Sequence, residues 1–142
     1  MFRYIANIMI IRRVTIIKES NKPGEDINKE LQWLSKSLGM FNERDKESSQ
    51  FRIFIELVKA RKKNEQLSSE ELAEKSNLTR GTVVHHLDKL RDSGLIENRR
   101  NRYFLSEDNL TSLMDDLEDS VSEMFKEMKK IARKIDEEIG LR

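Results

Sequence analysis

The stretch from Leu67 to Leu105 constrains this chain most, because its apolar period switches from helical to alternating and turn residues mark each switch. Ser69 to Ser76 reads as a short helix with Leu72 and Ala73 inward, and Asn77-Leu78 as a turn. Thr79 suits the N-cap of a second helix running from Arg80 to about Ser93, where Gly94 ends it. Val83, Leu87 and Leu90 recur at +4 and +3, so one face of that helix is held on a core. The opposite face carries Gly81, His85, Asp88 and Asp92, flanked by Thr82, Val84 and Lys89. Leu95–Asn98 and Arg102–Leu105 then read as strands around Arg99-Arg100-Asn101, a hairpin whose tip gathers Arg99, Arg100 and Arg102. A cationic tip of this kind suits phosphate contact or insertion into a minor groove.

A helix fixed by one face leaves its first turns free. There the helix dipole favours phosphate and side chains reach base edges, which makes Arg80, Thr82, Val84 and His85 the candidate readers of a major groove. Arg80 matches guanine and Val84 a thymine methyl, whereas Asp88 and Asp92 repel phosphate and limit how deeply the helix enters. Gly81 lets the backbone approach closely.

The segment "LSSEELAEKSNLTRGTVVHHLDKLRDSGLIENRRNRYFL", and "TVVHHLDKLRDSGLI" above all, resembles the winged helix-turn-helix of ArsR-type regulators. The chain is also similar to archaeal winged-helix proteins in which an "NKELQWLSKSLG"-like helix precedes the domain and a long helix follows. The resemblance implies a mainly α (α+β) fold, with Thr79 to Lys89 as recognition helix and Arg99, Arg100 and Arg102 as contacts of the wing. It implies a dimeric, DNA-binding transcription regulator. The cysteine motif of the metal-sensing branch is missing and the terminal helix has no histidine, so neither metal nor cofactor is expected. His85 and His86 stand about 100° apart on a helix and do not face one ion. His85 reads as a surface or nucleic-acid contact, His86 as packing.

Towards the N-terminus, Val14–Lys18 reads as a short strand closed by Lys22-Pro23-Gly24. Asp26 then caps a helix with the stripe Ile27, Leu31, Leu34 and Leu38, ended by Gly39, and Trp33 lies off the stripe as a core or interface residue. After a loop over Asn42–Gln50, Phe51, Phe54, Ile55 and Val58 mark another helix running into Arg61-Lys62-Lys63. Those cations are either a solvated helix end or phosphate contacts. Ser106 is expected to cap a final helix of roughly 50 Å with no Pro or Gly before Gly140. Its stripe of Leu110, Leu113, Leu117, Val121, Met124, Met128, Ile131 and Ile135 is a coiled-coil seam with a stutter near Val121. So long a stripe calls for a second copy of the chain, hence a homodimer. The expected organisation is an N-terminal extension over 1–45, the winged domain over 46–105 and the dimerisation helix over 106–142.

The net charge of +1 hides an asymmetry: residues 1–105 hold 21 Lys and Arg against 15 Asp and Glu, while residues 106–142 hold 6 against 11. With no cysteine, thiol chemistry and disulfides are excluded. The apolar run Ile5–Ile11 is too short for a bilayer and lacks the pattern of a secretory leader, so a cytoplasmic protein is expected, with Met1 and Met9 both open as its start. There is no P-loop, no HExxH and no acid–base constellation around the 2 histidines, so an enzyme is not expected. Structured RNA or the ribosome is the alternative target, and a protein-interaction module the other alternative.

Overall fold

Helix boundaries in the computed structural model follow from caps carried by the sequence. It describes residues 12–141, with the backbone of an antiparallel hairpin of β1 (Tyr4–Ile5) and β2 (Ile8–Met9). Asp26 accepts from the Asn28 N–H and starts α1 (Ile27–Ser37), and Gly39, at φ +75°, ends it. The Asp45 carboxylate accepts from the N–H groups of Ser49 and Gln50 and so starts α2 (Ser49–Lys62). Ser68 and Glu71 form a reciprocal capping box on α3 (Ser69–Ser76). Asn77, in the left-handed region, turns the chain, and Thr79 caps α4 (Arg80–Asp92) by accepting from the Thr82 N–H.

A three-stranded antiparallel sheet follows, ordered β3 (Leu67–Ser68), β5 (Arg102–Leu105), β4 (Ile96–Arg99). Ile96 pairs with Leu105 and Arg99 with Arg102, while Leu67 pairs with Tyr103. The last element is α5 (Leu110–Ile139). The fold divides into two units: one holds β1, β2 and α5, the other spans Ile11–Asn109.

In the larger unit Ile53, Phe54 and Leu57 of α2, Leu72 of α3, and Val83, Leu87 and Leu90 of α4 are all buried with Leu67, Ile96 and Leu105 of the sheet. Burying each such side chain contributes about 1.5–3 kcal/mol. On α2 the deepest face is Ile53, Phe54, Leu57 and Ala60 rather than the expected Phe51, Phe54, Ile55 and Val58, of which only Phe54 is fully buried. The α1 stripe is shallower than its spacing suggests, since Ile27 is exposed and Ser35 is the buried residue. Trp33 is half-buried, with its indole N–H unpaired among the described residues.

The expected strand over Val14–Lys18 does not form. Instead the segment lies as an extended strap whose amides use helix-end carbonyls: Arg13 N–H donates to Asp92 O and Ile17 N–H to Ser37 O, both at 2.8 Å. The Arg12 side chain donates to Ser93 O at 2.9 Å. The last carbonyls of a helix have no partner within it, so the ends of α1 and α4 offer acceptors that replace a neighbouring strand. Thr15 sits against Gly39, where a Cβ would stand 2.6 Å from Thr15 Cγ2.

Ser106 does not cap the last helix. Its N–H donates to Leu95 O at 2.9 Å, which keeps it at the end of the sheet, and α5 starts only at Leu110. The 30 residues of α5 span about 45 Å. Gly140, at φ +81°, terminates it and the Leu141 N–H returns to Asp136 O. Leu113, Leu117 and Ser120 are buried, whereas beyond Val121 every described residue but Asp136 is exposed.

Arg61 has neither of its expected roles. Its Nη2 donates to Leu105 O at 2.6 Å and its guanidinium lies 5.9 Å from the centre of the Phe104 ring. Extending the β3–β5 register by two residues would set Glu65 opposite Leu105, but the Glu65 N–H is already given to Ala60 O. The sheet cannot grow there, and Arg61 supplies a donor in place of a strand. Lys62 and Lys63 remain exposed.

Candidate nucleic-acid interface

Burial of Val83, Leu87 and Leu90 fixes the rotation of α4 and turns Arg80, Gly81, His85, Asp88 and Lys89 to solvent, with Thr82 and Val84 at its edges. The Thr79 hydroxyl, besides capping, donates to Thr82 Oγ1 at 2.8 Å. Gly81 has open space around it, with nothing within 4 Å of the position a Cβ would take.

The β4–β5 turn is held by Arg100 and Asn101, both at positive φ (54° and 62°). Two left-handed residues in succession match the twist of a two-residue hairpin. The turn leaves Arg99 and Arg100 exposed at the tip, with the Arg99 guanidinium 5.6 Å from the Phe104 ring centre. Arg102 pairs with Arg99 just behind the turn, and its Nη1 donates to Glu71 Oε1 at 2.9 Å and Gln66 O at 3.2 Å.

Between the start of α3, the first turns of α4 and this hairpin lies an open groove of about 430 Å³, lined by Ser68, Ser69, Glu70, Arg80, Val84, Arg100, Asn101, Arg102 and Tyr103. Of the expected contact residues, Arg80, Val84, Arg100 and Arg102 share this groove, whereas Thr79, Thr82, His85, Lys89 and Arg99 lie outside its lining. Glu70 and Glu71 are the residues sequence reading missed. Arg80 Nε lies 3.0 Å from Glu70 Oε1, so two of the groove's three arginines already face a carboxylate. Glu70 is held below the ordinary carboxylate range by its own backbone N–H and by Arg80, and Glu71 by the Ser68 N–H and hydroxyl and by Arg102. Both carboxylates stay charged at neutral pH and neutralise part of the positive charge of Arg80 and Arg102.

Residues 49–97 match a family model described as winged helix-turn-helix DNA-binding. The fold is a winged helix. The match runs from the start of α2 into the first strand of the wing, and the wing tip and α5 lie beyond it. No curated protein and no solved structure matches the chain. Within the winged helix, α3 and α4 form the helix-turn-helix and β4–β5 form the wing. No helix of the described residues is long and apolar enough to cross a membrane.

On the inner side of α4, His86 is buried, with Nε2 3.9 Å from Asp45 Oδ2 and Nδ1 unpaired among the described residues. Burial pushes its pKa below the ordinary 6.5, and His85 and Lys89 act the same way, outweighing the pull of Asp45. Burial would raise the Asp45 carboxyl, but the hydrogen bonds from Gln50 and Ser49 hold it low. Because the unfolded chain takes up the His86 proton first, stability is full above pH 6.5 and falls as the pH drops from there toward the lower folded value. The slope in that window is at most about 1.4 kcal/mol per pH unit. Urea titrations of the wild type and His86→Asn between pH 7.5 and 5 should show that the substitution removes this slope. An unchanged slope would assign it to another group.

Proposed function

We propose that the protein is a homodimeric, cytoplasmic transcription regulator that binds duplex DNA, reading sequence with the first turns of α4 and gripping the backbone with the wing. The observation that carries this reading is the groove that collects Arg80 and Val84 of α4, inside the segment matched by a DNA-binding family model, with Arg100 and Arg102 of the wing just beyond it. Likeness of "TVVHHLDKLRDSGLI" to ArsR-type regulators supports the regulatory role, as does similarity to archaeal proteins with the same trailing helix. A dimer is supported by the exposed apolar stripe of α5 and supplies two reading heads for a two-fold operator.

The test is a salt titration of the wild type against duplex DNA, double-stranded RNA and ribosomes. Duplex DNA is expected to bind most tightly, with an affinity that falls linearly on a log–log plot against salt. Changing Arg99→Ala together with Arg100→Ala should weaken all duplexes alike and flatten that slope by about two, roughly one per lost phosphate contact. An unchanged slope removes the wing from the interface. Preference for RNA or ribosomes would move the proposal to shape recognition, where the exposed Asp88 and Asp92 are no handicap.

A further inference from the structure

The distal half of α5 presents Met124, Met128, Ile131 and Ile135 along one face, each between 43% and 57% exposed. With Val121 they follow an unbroken +3, +4 alternation, so Val121, Met128 and Ile135 take heptad position a and Met124 and Ile131 position d. The stutter of the whole stripe lies upstream, where Leu113 and Leu117 are buried in the single chain. What remains open is a short, regular seam.

Flanking charges distinguish the two directions in which a second copy could lie on it. Glu127 and Lys134 each immediately precede an a residue, so both occupy position g, one heptad apart. In a parallel pair, g faces e of the next heptad on the partner helix, which here is Ala132 or Ile139, and neither charge is answered. In an antiparallel pair g faces g. Setting Met128 against Ile131 of the second copy brings Glu127 of each helix beside Lys134 of the other, twice by symmetry. The same register layers Met124 on Ile135 and sets Phe125 beside Ala132. Among the described residues Glu127 makes an exposed contact at 3.5 Å with Lys130, which a new partner displaces at little cost.

We infer that the distal half of α5 pairs with a second copy of the chain in antiparallel orientation, centred between Met128 and Ile131 and oriented by the reciprocal Glu127–Lys134 pairs. The inference rests on the homodimer reading above and adds direction, register and the orienting charges. A symmetric overlap over residues 121–138 measures about 27 Å, and the two winged helices then belong to chains whose α5 helices run in opposite directions.

The chain has no cysteine, which permits a direct test in the full-length protein. Met124→Cys and Ile135→Cys are prepared separately, then mixed and allowed to exchange under mild oxidation. The antiparallel register predicts a disulfide-linked heterodimer in the mixture and none from either variant alone, because two copies of position 124 lie roughly 16 Å apart along the axis. Self-linking of each variant, without the mixed product, overturns the orientation and leaves the homodimer standing. A wild-type dimer in sedimentation with no cross-link in any sample overturns the seam. A wild-type monomer at tens of micromolar overturns both the seam and the homodimer. Glu127→Lys alone and Lys134→Glu alone should each weaken dimerisation on the order of tenfold, and the double exchange should restore it. Failure of the double exchange to restore it overturns the orienting role of the pair.

Discussion

Replacing Arg80 by alanine is expected to weaken binding to the preferred duplex by about 1–3 kcal/mol and binding to random duplex by much less. Its guanidinium stands at the N-terminal end of α4 beside Val84, on the groove it shares with Arg100 and Arg102. In the free protein that guanidinium is matched to Glu70 at 3.0 Å, with both side chains about two-thirds exposed. Glu70 is therefore expected to compete with whatever DNA offers Arg80. Glu70→Gln keeps the size and removes the competing charge, so it should tighten binding to every duplex severalfold, the opposite sign to Arg80→Ala. The two substitutions together should behave like Arg80→Ala, because the acid acts through the arginine. Equal losses on preferred and random DNA after Arg80→Ala would reduce it to a phosphate contact. A Glu70→Gln variant no tighter than wild type would show that the ion pair does not persist in solution.

A second large effect is expected away from the groove. Arg61→Ala should destabilise the fold by about 2–3 kcal/mol, since it leaves the Leu105 carbonyl without a charged donor and removes the stem and ring contact over Phe104. Arg61→Lys should recover little of this, as an ammonium does not reproduce a planar guanidinium lying over a ring while donating sideways. Urea midpoints with an unchanged m-value would measure the loss. A loss below 0.5 kcal/mol, on the order of an ordinary surface substitution, would return Arg61 to the solvated helix end. Arg61 contacts Phe104 and Leu105 at the end of the wing's second strand, so reduced DNA affinity should accompany reduced stability.

Local chemistry decided what the sequence made legible. Thr79, Asn77 and Gly94 are caps and turns whose geometry is set within a few residues, and the boundaries of α4 followed from them. The inward face of α4 was equally plain, because Val83, Leu87 and Leu90 leave no second apolar face. The arginines of the wing were visible as a run. What stayed hidden depends on partners distant in the chain. Strand β3 has two residues and no periodicity of its own, although the Ser68-x-x-Glu71 capping box beside it was a readable signal. Val14–Lys18 has the composition of a strand, but composition cannot tell whether the acceptor beside it is another strand or a helix end. Arg61 looked like its lysine neighbours until Leu105, 44 positions later, gave it a carbonyl. Nothing local to Glu70 and Glu71 announces their pairing with Arg80 and Arg102, which needs the folded groove.

The strap at Arg12 and Arg13 also sets an order of events during synthesis. Its acceptors, the carbonyls of Asp92 and Ser93, lie about eighty positions downstream; for Arg12 the separation is 81. At ~5–20 residues per second a ribosome needs several seconds to deliver them. Throughout that interval Arg12 and Arg13 lack these acceptors, while Ile17 already has Ser37 O at the end of α1, and α2 and α3 have their local caps. Arg12 and Arg13 are thus fixed long after they are made, and they close only on an α4 that has already formed its final turn.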